Sequence, residues 1–191
     1  MHRHFMIHKP YGYLSQFVSR EKLAHKKKYL GDLYSVPQGT MAVGRLDEPS
    51  EGLLLLTTDG VESELVRSKK YEKEYYVQVD GIAEQEHVSK LSKGVLIGLG
   101  KGKYYQTLPC RVQLINPPEK LPHRSKKIRD ERHGPTSWLS ITITEGKFRQ
   151  VRKMCAAVQL PVLRLIRVRI GAMHLNDIPN QGILEVSAFK D

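Results

Sequence analysis

The sequence is poor in the features that define several large classes of protein. Its 191 residues include two cysteines, Cys110 and Cys155, and neither has a partner at the spacing of a metal site. This argues against a disulfide scaffold and favours a reducing, cytoplasmic setting. The longest unbroken apolar run, Leu53 to Leu56, is far shorter than the roughly 20 residues of a membrane helix. The N-terminus also lacks the apolar core of a secretory signal, so no membrane association is expected.

Acidic residues are scarce relative to basic ones. Asp and Glu total 20 against 31 Lys and Arg, which gives a formal net charge of +11. Such an excess favours a polyanionic partner, because each neutralised phosphate releases condensed counterions. From charge alone, the alternative is a protein that is simply basic and soluble.

Two basic segments could contact such a partner. The first is the stretch from Arg20 to Lys28, for which a solvated loop is slightly favoured over a specific RNA contact. Residues 116–135 contain four prolines and six Lys or Arg, among them Lys126 and Lys127. This segment is too long and too rich in proline for an ordinary connection, so it is either an RNA-contacting arm or a flexible insert.

Several segments alternate with a period of two, which is typical of half-buried strands. Residues 5–10 also predict a short strand, ended by a proline. The last alternating segment should turn the guanidinium groups of Arg167 and Arg169 outward on one side. The apolar faces of the four alternating segments are Tyr75, Val77 and Val79; Cys110, Val112 and Leu114; Leu139, Ile141 and Ile143; and Ile166, Val168 and Ile170.

Three helices are predicted, over residues 61–67, 84–93 and 149–159. In the third, Val151, Met154, Cys155 and Val158 form one apolar stripe. Its opposite side carries the cationic residues Arg149, Arg152 and Lys153. Strands in runs, with few helices, predict an α+β fold with a largely antiparallel mixed sheet and flanking helices. One domain over residues 1–191, built from two joined subdomains, suits this length.

Two segments could carry chemistry. In residues 44–60, polar turn-forming residues lead into a fully apolar strand, and Asp47 lies at the start of that strand. Arg45 points the same way as Asp47 if the backbone is extended; the alternative is an exposed Arg–Asp pair. In residues 145–154, a strand ends at a glycine and a basic helix begins. Its amino end could hold phosphates or anchor a carboxylate, or the helix could simply have a solvated cationic face.

Four segments, in the same order along the chain, resemble the signature motifs of one enzyme family. Residues 44–60 resemble G-R-L-D-x-x-[ST]-E-G-L-L-L-L-T-x-D-G, and residues 73–77 resemble K-x-Y-x-V. Residues 145–154 resemble E-G-[KR]-x-x-Q-[IV]-[RK]-[RK]-M, and residues 165–171 approximate L-x-R-x-x-[IV]-G. On these residues the chain is similar to the RsuA/RluB/RluE/RluF family of ribosomal RNA pseudouridine synthases.

The resemblance implies the pseudouridine synthase fold, with a central active-site cleft, and conversion of uridine to pseudouridine in 23S rRNA. Asp47 would be the catalytic aspartate, Tyr75 would stack on the target uracil, and Arg152 would pair with Asp47. Leu165 would pack beside the base, and Arg45 would either support the flipped nucleotide or fill the place that it leaves. The further candidate RNA contacts are Arg149, Lys153, Arg167, Lys126 and Lys127.

The implied reaction neither adds nor removes electrons, so neither a cofactor nor a metal is expected. The expected partner is ribosomal RNA, as naked 23S rRNA or a large-subunit assembly intermediate, and the protein is expected to be a monomer. Many family members have an N-terminal S4 domain, whereas none is expected here, because the resemblance to the catalytic domain begins near residue 7, as in the RluE branch. It also has Phe148 where a polar residue is common, which bears on RNA contacts beside that motif.

Two other functions are compatible with parts of the sequence. A non-catalytic rRNA-binding or ribosome-assembly protein on the same scaffold would keep the basic surfaces but would not need Asp47. A metal-dependent nuclease could use Asp47, Glu51 and Asp59, although glycine and proline interruptions give these acids no clear shared face. Dependence on a divalent ion would distinguish the nuclease from the synthase.

Overall fold

A computed structural model describes residues 2–17, 27–68 and 71–190. Most of the basic stretch predicted from residue 20 to 28 lies outside the described residues. The described residues form thirteen strands: β1 (His4–Lys9), β2 (Tyr13–Leu14), β3 (Lys28–Tyr29), β4 (Met41–Val43), β5 (Glu51–Thr57), β6 (Lys73–Asp80), β7 (Leu96–Gly100), β8 (Lys103–Gln106), β9 (Arg111–Ile115), β10 (Thr136–Ile143), β11 (Val162–Ile170), β12 (Met173–His174) and β13 (Ile183–Val186). They also form three α-helices: α1 (Gly60–Arg67), α2 (Gln85–Lys93) and α3 (Gln150–Ala157).

The chain divides into two compact units. Unit 1 comprises Met1–Tyr71, Pro122–Lys126 and Ile166–Asp191. Unit 2 comprises Glu72–Leu121 and Lys127–Leu165. Strand β11 therefore gives its first residues to unit 2 and its last residues to unit 1.

In unit 1 the strand order is β13–β1–β5–β11, with β4 also on β5 and β12 on β11. Strand β1 is antiparallel to β5, whereas β11 is parallel to it. Every residue of β5 is buried, so both faces of the strand are covered; Leu54 and Leu56, for example, pack in one cluster with Phe5, Ile7 and Leu30. This explains why Leu53–Leu56 form a continuous apolar run instead of an alternating one.

Gly52 lies opposite Arg167 where β5 pairs with β11. Its φ is +110°, and a Cβ built there would lie 2.2 Å from the backbone oxygen of Arg167. A side chain at this position is therefore excluded by both conformation and space.

In unit 2 the strand order is β11–β6–β10–β9. Strand β10 is antiparallel to both β6 and β9. The alternation in β6 is confirmed, because Tyr75, Val77 and Val79 are buried. The hairpin of β7 and β8 forms a separate two-stranded sheet, and α3 packs against β7.

The predicted α+β class with a largely antiparallel mixed sheet is confirmed. Helix α1 begins one residue before the predicted start, and α2 begins one residue after it, with Gly94 as its C-cap at φ 88°. The apolar stripe of α3 is buried as predicted. No helix in the described part of the chain is long and apolar enough to cross a membrane.

Three local predictions were wrong. Leu114 is 44% exposed, and its strand β9 is the end strand of this sheet among the described residues. Arg149 is not in a helix: it is the N-cap of α3, with a left-handed φ of 53°. Arg167 does not turn outward, since it is only 5% exposed. Its Nε donates to the backbone oxygen of Leu53 at 2.8 Å, so it belongs to the interior of unit 1.

Candidate active site

Asp47 lies in a tight turn immediately before β5. The backbone amide of Ser50 donates to the backbone oxygen of Asp47 at 2.9 Å, and the Ser50 hydroxyl donates to the Asp47 carboxylate at 3.2 Å. One residue earlier, the buried Ser15 hydroxyl exchanges hydrogen bonds with both backbone groups of Leu46. The turn is therefore fixed on both sides of Asp47, whose side chain is half-buried.

A buried lysine supports this turn. Lys9 in β1 has no exposed surface, and its ammonium donates to the backbone oxygens of Ser50 at 2.7 Å and Pro10 at 3.0 Å. A longer contact of 3.4 Å reaches the backbone oxygen of Glu48. Burial lowers the pKa of Lys9 to about 8, although nearby carboxylates, Glu51 first and Asp47 second, act to raise it. The positive charge of Lys9 therefore interacts with Asp47 as well as with Glu51.

Glu51, the first residue of β5, is fully buried and forms an ion pair. Its Oε2 lies 3.4 Å from Nε of Arg124, and the Arg124 guanidinium lies 4.4 Å from the centre of the Tyr11 ring. This contact explains why Pro122–Lys126 belong to unit 1. The segment is thus attached at Arg124, while Lys126 beside it is exposed.

The acids of the nuclease hypothesis have separate structural contacts. Glu51 faces Arg124, and Asp59 caps α1 by accepting from the amide of Val61 at 2.9 Å. Across residues 2–17, 27–68 and 71–190, no three His, Cys, Asp or Glu side chains are grouped so that they could hold a metal ion. The hypothesis therefore gains no support from the described residues.

A pocket of about 420 Å³ lies in unit 1 beside the Asp47 turn. Arg45 lines it and is exposed, and Arg67 contributes a second guanidinium. The remaining lining residues are Ser15, Gln16, Phe17, Met41, Ala42 and Gly44. The Arg67 guanidinium is paired with Glu64, so Arg45 is the arginine of this pocket that could hold a phosphate.

Tyr75 lies in β6 of unit 2, with its backbone opposite Ile141 of β10. It is 8% exposed. On the other face of the same strand, the Glu74 carboxylate accepts from the Ser140 hydroxyl at 2.8 Å. The strand therefore fixes the backbone of Tyr75 firmly, and a small part of its side chain remains accessible.

The segment before α3 is built around two buried polar side chains. Glu145 accepts hydrogen bonds from the Tyr105 hydroxyl at 2.5 Å, the Leu108 amide at 2.9 Å and the Gln150 side chain at 2.6 Å. The Gln150 carbonyl in turn accepts from the Lys147 amide at 2.9 Å. This network fixes the start of α3 and hence the direction of the helix.

Arg152 and Lys153 lie in the first turn and a half of α3 and are half-buried. Arg149 is exposed just before the helix. Leu165 lies in β11 and is 5% exposed. Tyr75, Arg152 and the three other residues named here all belong to unit 2.

The remaining predicted residues lie in unit 1 or in the loop of residues 122–127, most of which belongs to unit 1. Asp47, Arg45 and Arg167 are in unit 1, as is Lys126, whereas Lys127 is in unit 2. Lys126 and Lys127 are exposed. The pairing of Asp47 with Arg152 stays a prediction.

Sequence reasoning missed the charged residues inside the sheet. Lys9 and Glu51 are both strand residues. Lys9 was considered only as part of a strand, and Glu51 only as part of a motif and as a candidate metal ligand. A charged residue at the end of an otherwise apolar strand is a usable signal, because burying a charge is costly unless it is paired. Glu145 and Gln150 were quoted as motif residues, but their joint hydrogen-bond network was not predicted.

Comparison with known proteins gives the family. Residues 3–157 match the RNA pseudouridylate synthase family. The chain is 40% identical over 173 residues to the Ribosomal large subunit pseudouridine synthase E of Xanthomonas axonopodis pv. citri (strain 306), covering 90% of this chain and 87% of that protein. It is 41% identical over 175 residues to the protein of the same name from Vibrio parahaemolyticus serotype O3:K6 (strain RIMD 2210633), covering 91% and 69%.

Solved structures agree on the fold. The chain matches a crystal structure of pseudouridylate synthase with a TM-score of 0.76 at 23% identity, covering 98% of this chain and 71% of that one. It matches Human RNA Pseudouridylate Synthase Domain Containing 1 with a TM-score of 0.59 at 14% identity, covering 99% and 80%. The predicted pseudouridine synthase fold is therefore confirmed, and by sequence and fold together this chain belongs to the RNA pseudouridylate synthase family.

Proposed function

We propose that this protein is an isomerase that converts uridine to pseudouridine in large-subunit ribosomal RNA. The observation that carries the proposal is identity of about 40% to proteins named Ribosomal large subunit pseudouridine synthase E, over nine-tenths of the chain. The positive charge of +11 suits an RNA substrate. Action in the cytoplasm as a monomer stays a prediction.

The reaction needs little beyond a carboxylate and a shaped site. The bond between C1′ and N1 of uridine breaks, the uracil turns, and a bond forms between C1′ and C5. C5 loses a proton and N1 gains one, so atoms and electrons balance within the nucleotide. A carboxylate can serve as nucleophile, base or stabiliser of positive charge in such a sequence.

We propose Asp47 as that carboxylate. The turn that holds it is fixed by Ser15, Ser50 and Lys9, so its position is set before substrate binds. Such preorganisation is the principal way in which a protein lowers a reaction barrier. Arg45, exposed in the neighbouring pocket, would hold the RNA around the flipped nucleotide.

Tyr75 and Arg152 are the other two residues that we assign to the reaction. The role carried over for Tyr75 is stacking on the target uracil, which replaces part of the stacking lost when the base leaves its helix. The role carried over for Arg152 is pairing with Asp47, which would keep that carboxylate ionised. Leu165 is the apolar neighbour proposed for the base.

The test of the proposal uses unmodified 23S rRNA and two matched variants. Asp47→Asn removes the proposed catalytic charge, while Glu48→Gln removes the adjacent carboxylate, which pairs with Lys27 at the surface. We expect wild type and Glu48→Gln to form pseudouridine and Asp47→Asn to form none above background, as mapped on the RNA. Equal product from Asp47→Asn would remove Asp47 from the mechanism. RNA binding without product by wild type would favour the non-catalytic rRNA-binding alternative.

We also propose that Lys126 and Lys127 contact the RNA backbone. Arg124 on Glu51, and Arg129 on Asp80, attach the chain on either side of these two exposed lysines. We expect the double variant Lys126→Ala, Lys127→Ala to bind rRNA more weakly and to lower the slope of log K against log salt by about 1–2. An unchanged slope would exclude them as phosphate contacts. Arg149, Lys153 and Arg167 stay predicted contacts, with Arg167 the weakest of them because it is buried.

A further inference from the structure

Phe148 is 75% exposed in the turn before α3. Single apolar side chains are common on protein surfaces, so exposure alone indicates nothing. Phe148 differs from such cases in its surroundings. It lies between Lys147 and Arg149, both exposed, and Nζ of Lys153 lies 5.3 Å from the centre of its ring.

The turn that presents Phe148 has a fixed shape. The Lys147 amide donates to the Gln150 side chain at 2.9 Å, and the Gln150 amide donates to the Lys147 backbone oxygen at 3.1 Å. Arg149 completes the turn with a left-handed φ of 53°. Because Gln150 is 3% exposed, these bonds are shielded from water, and the aromatic ring projects from a rigid support.

The charge around the ring is of one sign. Lys147 lies 4.5 Å from the centre of the Tyr105 ring, and Lys153 lies beside Phe148. Residues 145–157 contain a single acidic residue, Glu145, which is 4% exposed and accepts three hydrogen bonds. The exposed part of this surface is therefore cationic and aromatic.

We infer that Phe148 stacks on an unpaired nucleobase of the substrate RNA other than the target uridine, with Lys147 and Lys153 on the neighbouring phosphates. Aromatic rings between cations are the usual means of holding single-stranded nucleic acid. A rigid turn loses little conformational entropy on binding, which suits a stacking platform. The inference rests on the proposed function, because it takes RNA as the substrate.

The experiment measures binding of unmodified 23S rRNA transcript by the full chain with Phe148→Ala, Phe148→Leu or Phe148→Trp. Ile82→Ala is the matched control, because Ile82 is also in unit 2 and is 63% exposed. We expect Phe148→Ala and Phe148→Leu each to raise Kd about 5- to 100-fold. We expect Phe148→Trp and Ile82→Ala to bind like wild type.

Two further measurements separate stacking from other effects. Phe148→Ala should keep the wild-type salt slope, whereas Lys147→Ala should lower it by about 1, because only the lysine neutralises a phosphate. The fluorescence of Phe148→Trp should be quenched by RNA beyond any change shown by Trp138 in the wild type.

Wild-type affinity in Phe148→Ala, or a salt slope reduced by that change, would overturn the inference. So would wild-type affinity in Phe148→Leu, because an apolar side chain without an aromatic ring would then be sufficient and no stacking would be needed. Pseudouridine formation by the wild type is measured in the same samples. Its absence would count against the proposed function, while the binding data would still decide the role of Phe148.

Discussion

The turn that carries Asp47 and the turn before α3 are both supported by a buried charged side chain, but the two charges are opposite. Lys9 donates to backbone oxygens of the Asp47 turn, whereas Glu145 accepts from an amide and from side chains around the second turn. In each case a buried ionic group holds several polar groups of the turn in place.

The difference lies in what each support does electrostatically. Lys9 has a charge opposite to that of a carboxylate and attracts Asp47. Glu145 has a charge of the same sign as the RNA phosphates, so it would repel them if it were exposed beside α3. Glu145 is accordingly buried under Tyr105 and Gln150. The comparison predicts that the first support matters for chemistry and stability together, and the second mainly for stability.

The largest effect is expected for Lys9→Met. The change removes the donor for the backbone oxygens of Ser50 and Pro10 and leaves the buried Glu51 with less positive charge around it. We expect the free energy of unfolding to fall by about 3 kcal/mol. Because a displacement of about 1 Å at a reacting group costs about 100-fold in rate, kcat should fall at least as much.

Lys27→Met is the matched control for that variant. Lys27 contacts Glu48 from the surface, and an exposed ion pair contributes about 1 kcal/mol or less. Urea unfolding and pseudouridine formation are measured for both variants. Near-wild-type activity in Lys9→Met would show that the Asp47 turn keeps its shape without the buried cation, and the comparison of the two supports would fail.

The second prediction is the pH dependence of the unfolding free energy that arises from Lys9. Its pKa is lowered to about 8 by burial, so between that value and the ordinary 10.5 the unfolded chain binds more protons than the folded one. Stability therefore rises with pH in this window, as the unfavourable burial of the charge is removed. Between pH 7.5 and 9.5 the unfolding free energy of wild type should rise relative to that of Lys9→Met by about 2 kcal/mol.

That difference is measured by urea unfolding at the two pH values. A decrease would mean that pairing with Glu51 outweighs desolvation and that Lys9 stabilises as an ion. No change would mean that Lys9 titrates outside the window. Activity measured in parallel should fall above about pH 8 if the Asp47 turn needs the ammonium.

These supports also show which parts of the molecule sequence patterns could predict. The alternation in β6 and the apolar stripe of α3 follow from one buried and one exposed face, and both were predicted correctly. The family motifs marked Asp47 and Arg152 without any geometry. Arg167 was misjudged because period-two reasoning assigns a polar residue to solvent, whereas residues 164–167 of β11 are buried in succession, so both faces of the strand are covered there.

The supports themselves could not be predicted, since each joins residues far apart in sequence. Lys9 contacts Ser50 across 41 positions, and Tyr105 contacts Glu145 across 40. A local pattern contains no information on such a contact until strand order and register are known. Lys9 could have been suspected only from its position at the end of a buried strand.

The smallest effect is expected for Tyr105→Phe, which removes one oxygen from the second support. The Tyr105 hydroxyl donates to Glu145 at 2.5 Å, and this hydrogen bond to the carboxylate raises the pKa of the tyrosine. Glu145 keeps its bonds from Leu108 and Gln150, so we expect a loss of about 1 kcal/mol in unfolding free energy and a less than fivefold change in kcat. Tyr104→Phe removes the same oxygen from a ring that is 70% exposed and should change neither quantity. A loss of kcat in Tyr105→Phe as large as that in Lys9→Met would contradict the comparison. It would mean that the loss of one hydrogen bond before α3 displaces Arg152, and that the second support serves the chemistry as directly as the first.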